Sequence, residues 1–159
     1  MKNASPGDRP RWYRVFATGS AEPDPERLLE HVRGLGAAAV GCIRRDDLGW
    51  FEATLAFPGT EAALVLHRYL ASEDGVRDEL NAWAAWLEHQ PQGPELIQTI
   101  LDTRQVIIME VPARVPAGVD PEHLCAGVCR FLAGLTGGVY QADGAGFFDA
   151  GGSELAAEA

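Results

Sequence analysis

The sequence predicts an α+β protein built on an antiparallel sheet, and three observations carry that prediction. Strand-like and helix-like stretches recur in the order β-α-β-β in both halves; "GWFEA" at 49–53 is nearly repeated as "GFFDA" at 146–150; and "DPERLLEHV" at 24–32 reappears as "DPEHLCAGV" at 120–128. The offsets are 97 (146 − 49) and 96 (120 − 24) positions, so one internal duplication nearly accounts for both. Shared capping chemistry is the competing explanation, because Asp-Pro-Glu opens helices in general. The expected architecture is a sheet of two pseudo-repeated units with helices mainly on one face. One domain would span 12–150, with repeat one at 12–57, a helical connection at 60–102 and repeat two at 104–150. Residues 1–11 and 151–159 have the composition of tails, although "SELAAEA" has enough helix formers for one turn.

Each element follows from local pattern. "WYRVFAT" is dense in β-formers and stops before "GSAEPDP", which makes it the first strand. Asp24 then stands as N-cap before Pro25, and Leu28, Leu29, Val32 and Leu35 recur at helical spacing up to Gly36. "AAVGCIRR" and "WFEATLAF", joined by "DDLG", read as an antiparallel hairpin. The middle of the chain is expected to hold three helices. Ala62, Val65, Leu66, Tyr69 and Leu70 define the first; Val76, Leu80, Trp83 and Leu87 the second; Leu96, Ile97, Ile100 and Leu101 the third. "RQVIIMEV" is a strand, "VDPEHLCAGVCRFLAGL" a capped helix, and "VYQA" with "GFFDA" a hairpin turning at "DG". In element order these two units resemble ferredoxin-like halves, a likeness of fold that implies no activity.

Composition narrows the function classes. Of 159 residues, 13 are Lys or Arg and 23 Asp or Glu, a formal charge of −10 that repels a phosphate backbone, so no nucleic-acid partner is expected. The single lysine, Lys2, leaves the body of the chain without a phosphate-loop or Schiff-base lysine. Three cysteines in a chain of this size do not read as a disulfide framework and suit a reducing cytoplasm. No apolar stretch is long enough for a membrane span or signal core, the longest being "LGAAAVGCI".

The motifs have plainer readings. His123, Cys125 and Cys129 have no second ligand pair, and Cys125 takes the place of Leu29 in the first helix, so a buried thiol is expected and no metal. "GLTGG", "GAG" and "AGG" lack the strand-to-helix context and Lys of a phosphate loop and read as turns. The serines form no recognisable triad, and His31, His67, His89 and His123 read as solvated helix residues. No cofactor is implied.

Alternation supplies the candidate site. Phe51, Ala53, Leu55 and Phe57 should face the helices, leaving Trp50, Glu52 and Thr54 on the uncovered face; Phe148 and Ala150 should point inward, leaving Phe147 and Asp149 outward. An aromatic beside an acid, presented twice, with Trp86 at the edge of its helix's apolar stripe, is the expected binding surface. The function it suggests is an acidic, cytoplasmic protein-binding or regulatory module, in concrete form an inhibitory, immunity-type protein directed at a basic partner. The plainer option is that Trp50 and Phe147 merely cover the middle helices or a symmetry mate, the latter making a homodimer. The alternative is a small-molecule enzyme or ligand-binding protein in which Glu52 and Asp149 converge in a cleft between the halves.

Overall fold

A computed structural model describes residues 11–91 and 94–158. Among them, β1 (Trp12–Ala17), β2 (Val40–Asp46), β3 (Gly49–Ala56), β4 (Ala63–Leu70), β5 (Gln105–Glu110), β6 (Val139–Ala142), β7 (Gly146–Phe148) and β8 (Glu154–Ala157) form one sheet. Its order is β2-β3-β4-β5-β1-β6-β7-β8, with every neighbouring pair antiparallel. The helices are α1 (Pro25–Gly34), α2 (Val76–Glu88), α3 (Pro94–Leu101) and α4 (Pro121–Thr136). The α+β class and both hairpins, β2-β3 and β6-β7, are as the sequence indicates.

Helices α1 and α4 start by the same chemistry. Asp24 Oδ1 accepts from the Glu26 amide at 2.9 Å and Asp120 Oδ1 from the Glu122 amide at 3.1 Å, with Pro25 and Pro121 opening each helix. Both lie on the first face of the sheet. There Leu28, Leu29 and Val32 of α1 and Leu124, Cys125, Val128 and Leu132 of α4 meet Tyr13, Val15, Leu55, Leu66, Ile107 and Tyr140 in the larger core. Gly137, at φ 71°, ends α4 in the left-handed conformation that glycine adopts without strain.

Four expectations need correction. Helices are not confined to one face: α2 and α3 cover the second face, where Leu80, Leu87, Leu96 and Ile100 pack on Phe16, Val106, Val139 and Phe147. Residues 63–70, expected as helix within a helical connection over 60–102, form β4. Its residues satisfy two periods at once: Val65, Leu66, Tyr69 and Leu70 fit a helical stripe, whereas Leu64, Leu66 and Arg68 are buried in strict alternation. The alternation prevails because β4 pairs with a strand on each side. The C-terminal stretch 151–159, expected as a tail, contains β8, which pairs with β7 and buries Ala156. The N-terminal tail lies outside the described residues up to residue 10.

The fourth correction concerns the repeat. The β-α-β-β order recurs as β1-α1-β2-β3 and β5-α4-β6-β7, but the sheet does not place the copies alike. In the first half β2 is the outermost strand and the hairpin joins the centre through β4; in the second, β6 pairs directly with β1. Matching sequences therefore occupy different places, and the likeness to ferredoxin-like halves stays at element order.

Candidate interaction surface

The two faces of the sheet are not equally covered. On the second face α2 and α3 lie over the half that contains β6, β7 and β8, whereas β2, β3 and β4 have no helix above them among the described residues. The uncovered ground consists of Val40, Cys42 and Arg44 on β2, Glu52, Thr54 and Ala56 on β3, and Val65, His67 and Tyr69 on β4; Glu52, Thr54, Val65 and His67 are half-buried, while Val40 is 58% and Tyr69 39% exposed. A shallow cavity of about 310 Å³ between Trp12, Val65, His67, Glu110 and Pro112 continues it toward the centre. β2 is an edge strand, its outer side unpaired among the described residues, and all its residues but the half-buried Ile43 are exposed.

A β-bulge decides which aromatic reaches this surface. Arg44 pairs with Glu52 and Arg45 with Trp50, so Phe51 is an extra residue that interrupts alternation. Trp50 is thereby turned to the first face, fully buried with Ala53 and Leu55, and its Nε1–H donates to the Pro23 carbonyl at 2.8 Å. The expectation that Trp50 faces outward is corrected accordingly. Its place is taken by Phe51, with the Arg44 guanidinium 5.2 Å above its ring. Arg44 Nη1 also stands 3.5 Å from Glu52 Oε2, and His67 Nδ1 is 3.9 Å from the same oxygen. Glu52 is therefore flanked across the strands by Arg44 and His67, beside the Phe51 ring.

The other expected residues do not join it. Phe147 does lie on the second face, in the cross-strand row that runs from Arg44 and Glu52 through His67, Ile108, Arg14 and Gln141. It is fully buried, with ring centroids 5.8 Å from Phe16, 5.5 Å from Trp83 and 6.2 Å from Trp86. Trp86 is only partly buried and packs on that same cluster, which makes Phe147 core and Trp86 its lid. Asp149 lies past the end of β7, where Oδ1 accepts from the Gly151 and Ser153 amides at 2.9 Å each. That is turn chemistry. Glu52 and Asp149 belong to opposite ends of the sheet, five strand steps or about 24 Å apart at the usual spacing, so they share no cleft.

The remaining candidates keep structural roles. Cys125 and Cys129 lie on the buried side of α4, where burial first, then the Glu122 and Asp120 charges, pushes the Cys125 thiol up to about 12 and burial raises Cys129 well above its ordinary value. Such thiols stay protonated, unlike metal ligands or nucleophiles. His31 stacks on Phe131 with ring centroids 4.3 Å apart, His123 is exposed, and His67 is on a strand rather than a helix. No family model matches the chain, no curated protein is significantly similar to it, and no solved structure matches it.

Proposed function

We propose that the chain is an acidic protein-binding module that docks a basic protein on the bare β2-β3-β4 half of its sheet and acts by blocking that partner. The observation that carries this reading is the half-covered second face, bounded by an unpaired edge strand, in a chain of formal charge −10. Asp46 and Asp47 in the β2-β3 turn and Glu61 in the β3-β4 loop are exposed at its two ends. Charge of this sign steers a basic partner to the surface and sets its orientation.

Size adds a constraint. Three strands at about 4.8 Å spacing and about seven residues of 3.3 Å give a footprint on the order of 300 Å², whereas a stable complex buries about 800 Å² on each side. The face alone is too small. A partner that also adds a strand to β2 gains main-chain hydrogen bonds and the missing area, with Phe51 as the aromatic anchor.

The test begins by capturing partners from native-host extract on immobilised protein at low and high salt, then purifying the captured protein and measuring its affinity. A basic partner whose binding weakens with salt and falls at least tenfold in the variant Val40→Lys with Val65→Lys supports the proposal; both positions are solvent-accessible, so the fold should persist by circular dichroism. An acidic partner, or unchanged affinity in the double variant, refutes it.

A further inference from the structure

Arg68 is anomalous among the cations of this protein. By alternation on β4 it points to the first face with Leu64 and Leu66, and only 5% of it is exposed. Its guanidinium is held by neutral acceptors: Nε donates to Gln105 Oε1 at 2.6 Å, and Nη1 to the carbonyls of Trp50 at 3.0 Å and Leu48 at 3.3 Å. Gln105 is fixed in turn, its Nε2 donating to the Gly19 and Ala21 carbonyls at 2.8 Å each. Among the described residues no carboxylate forms an ion pair with Arg68; Glu22, Asp46 and Glu73 act on it only at longer range. Burial pulls its pKa down, against those three charges. Removing a cation from water without a paired anion costs several kcal/mol, so this position opposes folding unless the charge is used.

Arg68 also borders a groove. Arg68 lines a depression of about 890 Å³ where the end of β1, the end of β4 and the start of β5 meet, a volume suited to a small molecule. Nη2 has no hydrogen-bond partner among the described residues, in contrast to Nε and Nη1. Across the groove the Arg104 side chain is exposed and likewise has no side-chain partner among them, because only its backbone is engaged, with Ala17 and Ala71. Arg77, the third arginine of the lining, is committed to the Leu101 carbonyl at 2.9 Å. Asp102 is the lone carboxylate there and is held by Gln98 Nε2 at 2.9 Å. The hydroxyls of Ser20 and Ser72 complete the polar rim, while Leu48 and Leu101, 63% and 39% exposed, supply apolar wall.

We propose that this groove binds the oxyanion of a small phosphorylated or carboxylated ligand, with Arg68 Nη2 at its floor and Arg104, Ser20 and Ser72 closing on it. A guanidinium preset by three hydrogen bonds offers the remaining N–H donors of Nη2 to an oxyanion without losing side-chain freedom on binding. The ligand acts as the missing counter-ion. The site is separate from the docking face and does not depend on the basic partner.

The test is a titration of the intact protein with inorganic phosphate and, in a second arm, with succinate, at constant ionic strength made up with chloride, followed by amide chemical shifts. Saturable shifts centred on residues 18–20, 68–72 and 101–104 are expected with at least one anion; phosphate alone identifies a phosphorylated ligand and succinate alone a carboxylated one. Arg104→Gln should weaken binding about tenfold, the worth of one charge-assisted hydrogen bond, while Arg114→Gln, the same charge change on an exposed residue outside the groove, should leave it unchanged. Shifts that do not saturate, or equal weakening by both substitutions, overturn the proposal. Arg104 is exposed, so its replacement leaves the fold intact, whereas Arg68→Gln also removes structural hydrogen bonds.

Discussion

Replacing Phe147 by alanine separates a core residue from a binding anchor. The ring is fully buried and touches Phe16, Trp83 and Trp86, so its removal leaves a hole roofed by α2 that three large rings cannot collapse into without leaving their own contacts. Phe-to-Ala changes in such settings cost about 3–5 kcal/mol, and the dense aromatic packing favours the upper half of that range. A protein with a total stability of about 5–15 kcal/mol would lose roughly a quarter or more of it, and its Tm would fall by about 8–20 °C at about 2–4 °C per kcal/mol. Urea titrations of wild type, Phe147→Ala and Phe147→Leu, read by far-ultraviolet circular dichroism and by tryptophan emission, measure this directly. Leucine keeps most of the volume and should cost under about 2 kcal/mol. The emission of Trp83 and Trp86 should change in the alanine variant even before unfolding, since both rings touch the deleted one. A cost below about 1 kcal/mol for alanine would show that the ring is not packed as described.

Three further outcomes are expected. Asp149→Ala should lower stability by about 1 kcal/mol in a urea titration by removing the acceptor for two turn amides, whereas Asp149→Asn, which keeps an oxygen there, should be nearly silent. Of the three thiols, only exposed Cys42 should react with a disulfide reagent in the native protein at pH 8, all three reacting after unfolding; because folding raises the Cys125 pKa, the unfolded chain binds fewer protons above its ordinary value of 9.0, and stability should fall between about pH 9 and 12 by up to ~1.4 kcal/mol per pH unit for that thiol. Gly138→Ala should cost about 2 kcal/mol or more, because its Cβ would stand 2.0 Å from the Phe16 carbonyl oxygen, while Gly134→Ala, on an open stretch of α4, should be neutral or stabilising in the same thermal melt.

Much of the fold was legible because several elements announce themselves locally. The Asp-Pro-Glu openings specify where α1 and α4 begin, the apolar run of β5 marks a strand buried on both sides, and the links Asp46 to Leu48 and Asp143 to Gly144 join hairpins. What escaped was governed by partners distant in sequence. β8 is made of Glu, Leu and Ala, weak strand formers, and exists because Gly146, at φ 131°, lets the backbone at Ala156 approach so closely that any Cβ would lie 2.0 Å from its carbonyl oxygen. The covering of Phe147 depends on where α2 packs, which periodicity along α2 does not tell. The candidate site suffered a subtler failure: one extra residue, Phe51, exchanged the two faces for everything before it, so Glu52 was assigned correctly and Trp50 was not.

The misreading of β4 is the more instructive case. Its inward positions are Leu64, Leu66 and Arg68, and a charged residue in the third broke the alternation that would have marked a strand, leaving the helical stripe as the better fit. Local pattern and native structure disagree at that residue because something other than core packing selects it. Arg68 is also a buried cation without an ion-pair partner among the described residues, set by Gln105 and two carbonyls beside the groove. A leucine there would restore the alternation and remove the desolvation cost but would leave Gln105 Oε1 and the Trp50 carbonyl without their donor; folding asks for a donor at this position, and the full positive charge is what it does not explain. The same side chain thus hid the strand from the sequence and exposes the anion site in the structure, where its charge, its fixed geometry and its free nitrogen have a common explanation in a bound oxyanion.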